Sequence, residues 1–433
     1  MSVLTLLVII PFLYRRRSAS TVLILLIPFI AQFYQIILGW DVTLGAASFL
    51  RLLPFAIMAL TLMLAIDRDR PEITYGEAAG FWIWELSCLL SYVAAWGVSR
   101  PVVALVAFAL HALLVPLIYL FVKGRLTRDG EGARQMMAAL LVGFVMLAWG
   151  SVIVSFVALG YRGSDSLLVA RNANDGNNVL AYLLLAWPFV VLAALTWNRK
   201  SIPFLAATFL ASVALLFSRG GLALVPPLMI VTGLIIARRF STTVVALSVG
   251  LLVVGLAWVQ FGAEFALVEL WALRFDTDLG ALGGIPAIVT VLLGQVSGRA
   301  EIWSEGIRLF MNEPIWGNGF GSFEALGPGF SEAHSLLFTT LAERGLIGFT
   351  VVYGLLGAWL LGLLFGLRSA QPAVRPYLLV VVATFACWFV FVHAVSSAVV
   401  VISEKGFMVN ILGAMLLVML FFTKDFARLS IRA

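Results

Sequence analysis

The chain has 433 residues, of which 62% are hydrophobic and only 12% charged, with a net charge of +6. Composition this apolar excludes a soluble domain of such length, and apolar stretches long enough to cross a bilayer recur from end to end. A membrane barrel would show short alternating segments instead, so the expected fold is all-α: a polytopic membrane protein of about twelve spanning helices with one helical loop domain.

The opening stretch, MSVLTLLVIIPFLY (1–14), precedes RRR, the reverse of a secretory signal's charge order. It reads as a short span or an interfacial segment. Spans are then predicted near 19–39, 45–66, 77–96, 101–122, 135–159, 178–197, 201–217, 221–237, 242–261, 346–367, 376–400 and 406–423. Alternate connections carry the basic groups Arg15–Arg17, Arg68 and Arg70, Lys123 to Arg134, Arg199 and Lys200, Arg238 and Arg239, Arg368 and Arg375, and Lys424 to Arg432. That parity places these connections and the C-terminus in the cytoplasm. Cys88 and Cys387 both fall in apolar runs, so neither a disulfide framework nor a thiolate metal site is implied. Arg51 and Glu85 fall inside spans, where a charge is costly unless it is paired or lines a cavity.

Two longer connections face outward. The first is 160–177, ending in the amide-rich ARNANDGNN (170–178), a segment suited either to sugar hydroxyls, with Arg171 able to reach a phosphate, or to a solvated turn. The second, 262–345, separates an N-terminal bundle (1–261) from the last spans (346–433). Between the two lies FSRGG (217–221), a tight turn that puts Arg219 at the membrane surface, either as an interfacial anchor or as an anion clamp at headgroup depth.

Inside the long loop, EFALVELWALRF (264–275) is apolar enough for an interfacial helix. GRAEIWSEGIRLFMNEPIWGNGFGSF (298–323) opens with a second amphipathic helix. Its apolar face is predicted to hold Ile302, Trp303, Gly306, Ile307 and Phe310, with Glu301, Glu305 and Arg308 opposite. Pro314 ends it, and GNGFGSF must be a turn-rich loop whose backbone approaches something closely. No strand precedes these glycines, so they are no nucleotide fingerprint.

SEAHSLLFTTLAERG then reads as a helix with Ser331 as N-cap and Gly345 as its stop. His334, Leu337, Phe338 and Leu341 share one face at helical spacing, so His334 is expected on the inward face of the first turn. There the helix dipole disfavours the imidazolium, and a neutral imidazole can serve as a general base. An inward packing role is the alternative. The other histidines, His111 and His393, lie inside spans far away, and DTD (276–278) and DRDR (67–70) read as solvated loop charges, so no metal site is expected.

Taken together, SRGG, SGRAEIW, PIWGNGFGSF and EAHSLLFTTLAERGLIGF resemble the O-antigen ligase and polymerase superfamily over roughly residues 170–365. The resemblance implies a metal-independent glycosyltransferase of the C type, without cofactor, acting in lipopolysaccharide biosynthesis on a glycan carried by undecaprenyl diphosphate. Its site would face the periplasm from the inner membrane. Carried over residue by residue, Arg219 and Arg299 match the family's two essential arginines and His334 its histidine. The family often has asparagine after the histidine, and here Ser335 stands there. Arg171, Glu301, Arg308, Asn318 and Arg344 are the further residues expected to face substrate. The expected partners are the lipid-linked donor, a lipid A core acceptor and the bilayer, with no nucleic acid. Transfer of the finished polysaccharide to the core is the leading reaction. Joining of repeat units on the same carrier comes second, and passive transport of a lipid-linked glycan is the reading from a different class.

Overall fold

A computed structural model describes residues 17–31, 46–99, 101–128, 130–153, 176–216, 218–237, 300–327, 333–394 and 409–431. Every regular element among them is a helix. In chain order these are α1 (Arg17–Ala31), α2 (Ala46–Asp69), α3 (Tyr75–Ala94), α4 (Pro101–Phe108), a π-helical turn (Ala109–Leu114), α5 (Val115–Arg128), α6 (Gly130–Ile153), α7 (Gly176–Trp197), α8 (Ile202–Leu215), α9 (Arg219–Ala237), α10 (Ala300–Asn312), α11 (Ser322–Leu326), α12 (Leu336–Ser369), α13 (Arg375–Ala394), α14 (Val409–Leu420) and α15 (Thr423–Ile431). Helices stand at all the expected spans except 242–261, which lies outside the described residues, as do 1–14 and 264–275. Five stretches among the described residues are long and apolar enough to cross a membrane: Ala104–Thr127, Gly130–Ile153, Asn177–Trp197, Leu336–Ser369 and Arg375–Ala394.

The core forms around α7, which is apolar on every face and is therefore enclosed rather than amphipathic. From Val179 to Ala194 its apolar side chains are all buried, and it packs against α6, α8, α13 and α14. Close helix approach relies on small residues. At Gly143 of α6 a Cβ would sit 2.5 Å from the Phe29 ring of α1, and at Gly221 of α9 one would sit 2.4 Å from Leu180 of α7.

At one end of the bundle, charges lock four helices together. Glu77 opens α3 in a capping box with Thr74 and also takes Lys123 and the Tyr119 hydroxyl of α5. DRDR is not a solvated loop. It ends α2, and Asp69, 4% exposed, pairs with Arg68 (3.3 Å) and with Arg125 of α5 (3.6 Å). Arg125 in turn donates to Gln135 of α6 at 2.9 Å. A buried carboxylate demands such partners. Both cysteines are unpaired.

Candidate functional site

The loop following α10 is built by three helix ends. The last four carbonyls of any helix lack intrahelical partners. Here WGNGF supplies donors to three such ends at once. Asn318 N donates to Ala342 O (2.9 Å) and Gly319 N to Glu343 O (2.9 Å), both in the first segment of α12. Phe320 N donates to Ser91 O of α3 (3.2 Å). The Asn318 side-chain amide donates to Leu309 O of α10 (2.7 Å) and again to Ala342 O (2.9 Å). Backbone must come this close for the donors to reach, and the glycines permit it. Gly317 and Gly319 have φ of +73° and +91°, and a Cβ on them would lie 2.5 Å from Glu343 O and 2.0 Å from Ala95 N.

Gly345 completes the arrangement. With φ +59° and ψ −161° it breaks α12 into a short segment, Leu336 to Arg344, and the long helix after it. The amides freed by the break are taken up across the loop, Leu346 N by Pro314 O (2.8 Å) and Ile347 N by Ile315 O (3.2 Å). The expected stop at Gly345 is therefore present, as a break within one element.

The short segment packs on α10 through a small apolar core of Ile302, Leu309, Phe323, Ala333 and Ala342, with Phe338 against it. Trp303 stacks on Phe338 at 5.3 Å between centroids. On α10 the buried stripe runs Ile302–Gly306–Leu309, and Ile307 is 48% exposed, not inward as its spacing predicted. Gly306 sets that register, since a Cβ there would press on Phe338 Cβ at 3.1 Å. Glu301 and Arg308 are exposed on the outer face. Arg308 Nε donates to Glu305 (2.8 Å), and that guanidinium holds the Glu305 carboxyl below its ordinary value.

His334 does not occupy a first helical turn. The helix starts at Leu336, Ser335 is its N-cap in an extended conformation, and His334 precedes it with φ +49°. Left-handed backbone costs a non-glycine residue about 1–2 kcal/mol, and histidine is among the residues that tolerate it. The ring therefore follows no helical face, although it still adjoins the positive end of the helix dipole. The buried face of the segment is Leu336, Thr339, Thr340, Ala342, Glu343 and Arg344, whereas Leu337, Phe338 and Leu341 are only half-buried. Ser335 is fully buried, its hydroxyl without a hydrogen-bond partner among the described residues.

The charged pair closing the segment diverges. Glu343, 1% exposed, stays against the glycine loop, its backbone O accepting Gly319 N. Arg344, also 1% exposed, turns to α3, where its Nη2 donates to Ser87 Oγ (2.9 Å) and contacts Cys88 Sγ (3.6 Å).

Arg219 is the first residue of α9, and the cap is Ser218. The Ser218 hydroxyl accepts Gly221 N (3.2 Å) and donates to Asn177 Oδ1 (2.9 Å), which joins the first turn of α7 to the SRGG turn. A basic residue at the first position of a helix gains nothing from the dipole, so an arginine at this position asks for another reason. Helix α13 packs against both α9 and α12, and so connects the two helices that carry Arg219 and follow His334. Arg171, Arg299 and DTD lie outside the described residues, and no cluster able to hold a metal occurs among those described.

Residues 204–353, from α8 past the Gly345 break, match the O-antigen ligase family. That match covers about a third of the chain and supports its likeness to the O-antigen ligase and polymerase superfamily. No curated protein and no solved structure matches it. The matched segment thus contains Arg219, Arg299, His334, the glycine loop and the break. The matched family suggests a membrane enzyme of the glycosyltransferase kind, acting on lipid-linked glycans in lipopolysaccharide biosynthesis. Within the matched segment, sequence reasoning singled out Asn318 and Arg344 as substrate-facing, and both point into protein instead. Outside it, Trp84, Ser87, His111 and Asn177 hold its residues in place, and no spacing rule ties those positions to the loop.

Proposed function

We propose that the protein is an O-antigen ligase of the Gram-negative inner membrane, with its site on the periplasmic side and its C-terminus in the cytoplasm. It would transfer a polysaccharide from undecaprenyl diphosphate to a sugar of the lipid A core, with inversion at the anomeric carbon and without a metal. The observation that carries this reading is the family match over the segment in which a capped helix start bears Arg219 and a strained His334 precedes a second helix start.

The chemistry suits these side chains. The donor already bears an activated leaving group, so catalysis needs stabilisation of the charge developing on the diphosphate and removal of a proton from the acceptor hydroxyl. Arginine forks match phosphate oxygens, and the N-terminus of α9 adds its own positive field to Arg219. We assign the diphosphate to Arg219 and Arg299 and the proton to His334, a role that contributes about 10²–10⁴-fold. Arg171, Glu301 and Arg308 are the remaining candidates for contacts to sugar or phosphate.

The test is transfer by the purified protein from undecaprenyl-diphosphate glycan to lipid A core in excess chelator. A shifted lipopolysaccharide band supports the ligase. Carrier-linked ladders without core transfer identify a polymerase, and neither product favours transport. Activity lost in Arg219→Ala and Arg299→Ala but kept in His334→Ala would refute the base assignment and spare the clamp.

A further inference from the structure

We propose that Arg344 is a positioning residue: its caged guanidinium holds the helix that begins beside His334 against α3, and so sets where the histidine stands. The proposal rests on the reading of His334 as the base.

The cage has two aromatic walls. The Arg344 Cζ lies 5.0 Å from the Trp84 ring centroid and 5.6 Å from that of Phe320. Each wall is held in turn. Trp84 Nε1 donates to His111 O at 2.8 Å, within the π-helical turn that interrupts the run from α4 to α5. A π turn displaces carbonyls from the regular ladder, which makes one available to an outside donor. Phe320 stacks on the His111 ring at 5.2 Å, and its own amide is tied to Ser91 O. The guanidinium edge donates to Ser87 Oγ, while Nε and Nη1 have no hydrogen-bond partner among the described residues.

Among the described residues Arg344 has no ion-pair partner, although it is 1% exposed. A buried cation without a carboxylate is unfavourable unless something else faces it, and π faces are what remains when water is excluded. Arginine fits where lysine does not, because a planar cation can lie against rings on both sides.

Backbone was shaped to admit this side chain. A Cβ at Gly348 would fall 2.1 Å from Arg344 Cβ and 3.1 Å from its Nε, and one at Gly317 would fall 2.5 Å from Arg344 N. The spacing Gly345–Leu–Ile–Gly348 thus has two uses: the first glycine breaks the helix and the second leaves room for the arginine stem. A side chain meant for substrate would need an open path, and this one is enclosed by α3, the π turn and the loop. The loop amides of Asn318 and Gly319 hold the same segment through Ala342 O and Glu343 O, so the segment has a second anchor besides Arg344.

The experiment uses the full-length protein in detergent or nanodiscs, with variants Arg344→Met, Arg344→Lys, Phe320→Leu and Ser87→Ala. Amide exchange of residues 336–344 is expected to rise in Arg344→Met and Phe320→Leu while α7 keeps its protection. In transfer assays kcat should fall about 100-fold in Arg344→Met with the donor KM within about twofold, since a small misplacement of a reacting group is enough. Arg344→Lys and Ser87→Ala should fall between. Unchanged exchange in 336–344, or a raised KM with kcat kept, overturns the proposal. If Arg344→Met does not fold, Phe320→Leu and Ser87→Ala decide by the same two readings. If the wild-type protein shows no transfer, the assigned function fails, and the exchange measurement alone judges the anchor.

Discussion

Asn318→Ala removes two hydrogen bonds and no charge. The Asn318 amide nitrogen lies 2.7 Å from Leu309 O and 2.9 Å from Ala342 O, and the residue is 6% exposed. Both acceptors lie at helix ends; Ala342 O keeps the bond from the Asn318 backbone amide, while Leu309 O loses its side-chain donor. At about 0.5–1.5 kcal/mol for each net bond the change should cost about 1–3 kcal/mol. That loss is local, because Asn318 joins α10 to the first segment of α12 and touches no spanning core. Amide exchange in 336–344 should therefore quicken by roughly 5- to 150-fold, with the exchange of α7 unchanged. Asn318→Asp, which sets carboxylate oxygens against two carbonyls, should be worse than alanine. Donor KM should move little in either variant. Exchange left as in wild type with a KM raised tenfold or more would show that the amide serves a sugar and that its two bonds do not hold the loop.

Gly319→Ala places a methyl 2.0 Å from Ala95 N at φ +91°, so folded yield in a detergent extract should collapse, whereas Gly76→Ala, with open space around it, should extract as wild type does. Ser218→Ala loses the cap of α9 and the bond to Asn177, costing about 1 kcal/mol; thermal unfolding with Asn177→Ala added should show less than additive loss. If His334 takes the acceptor proton, the transfer rate should decline as acid converts histidine to the imidazolium, and His334→Gln should abolish that slope. A slope that survives the substitution assigns the proton elsewhere.

Spans were legible because an apolar run of bilayer length has few other outcomes, and helices stand at 75–94 and 375–394 where hydropathy placed them. The glycines of GNGFG and Gly345 were legible too, as close approach and as a stop, since only glycine explains such positions. What they approach was not. The three helix ends that receive the loop come from α3, α10 and α12, and no periodicity links Ser91 with Phe320. Helical spacing placed His334 in a first turn because its neighbours continue the pattern, but Ser335 took the cap and left the histidine outside. The inward turn of Arg344 was hidden for the same reason: its partners, Trp84 and Ser87, lie on a helix that sequence treats as one more span.

The break at Gly345 also works as a ruler. At 1.5 Å per residue, the nine residues from Leu336 to Arg344 would extend a continuous α12 by about 14 Å beyond its long part, and His334 would stand at the tip of that rod. Folding the segment back onto α10 and α3 fixes the height of the histidine by the number of residues between it and the glycine. One inserted residue in that interval would lift His334 by about 1.5 Å and swing it about 100° around the helix. If His334 takes the acceptor proton, the interval is a length on which its reach depends, set by the count of residues together with the anchor at Arg344.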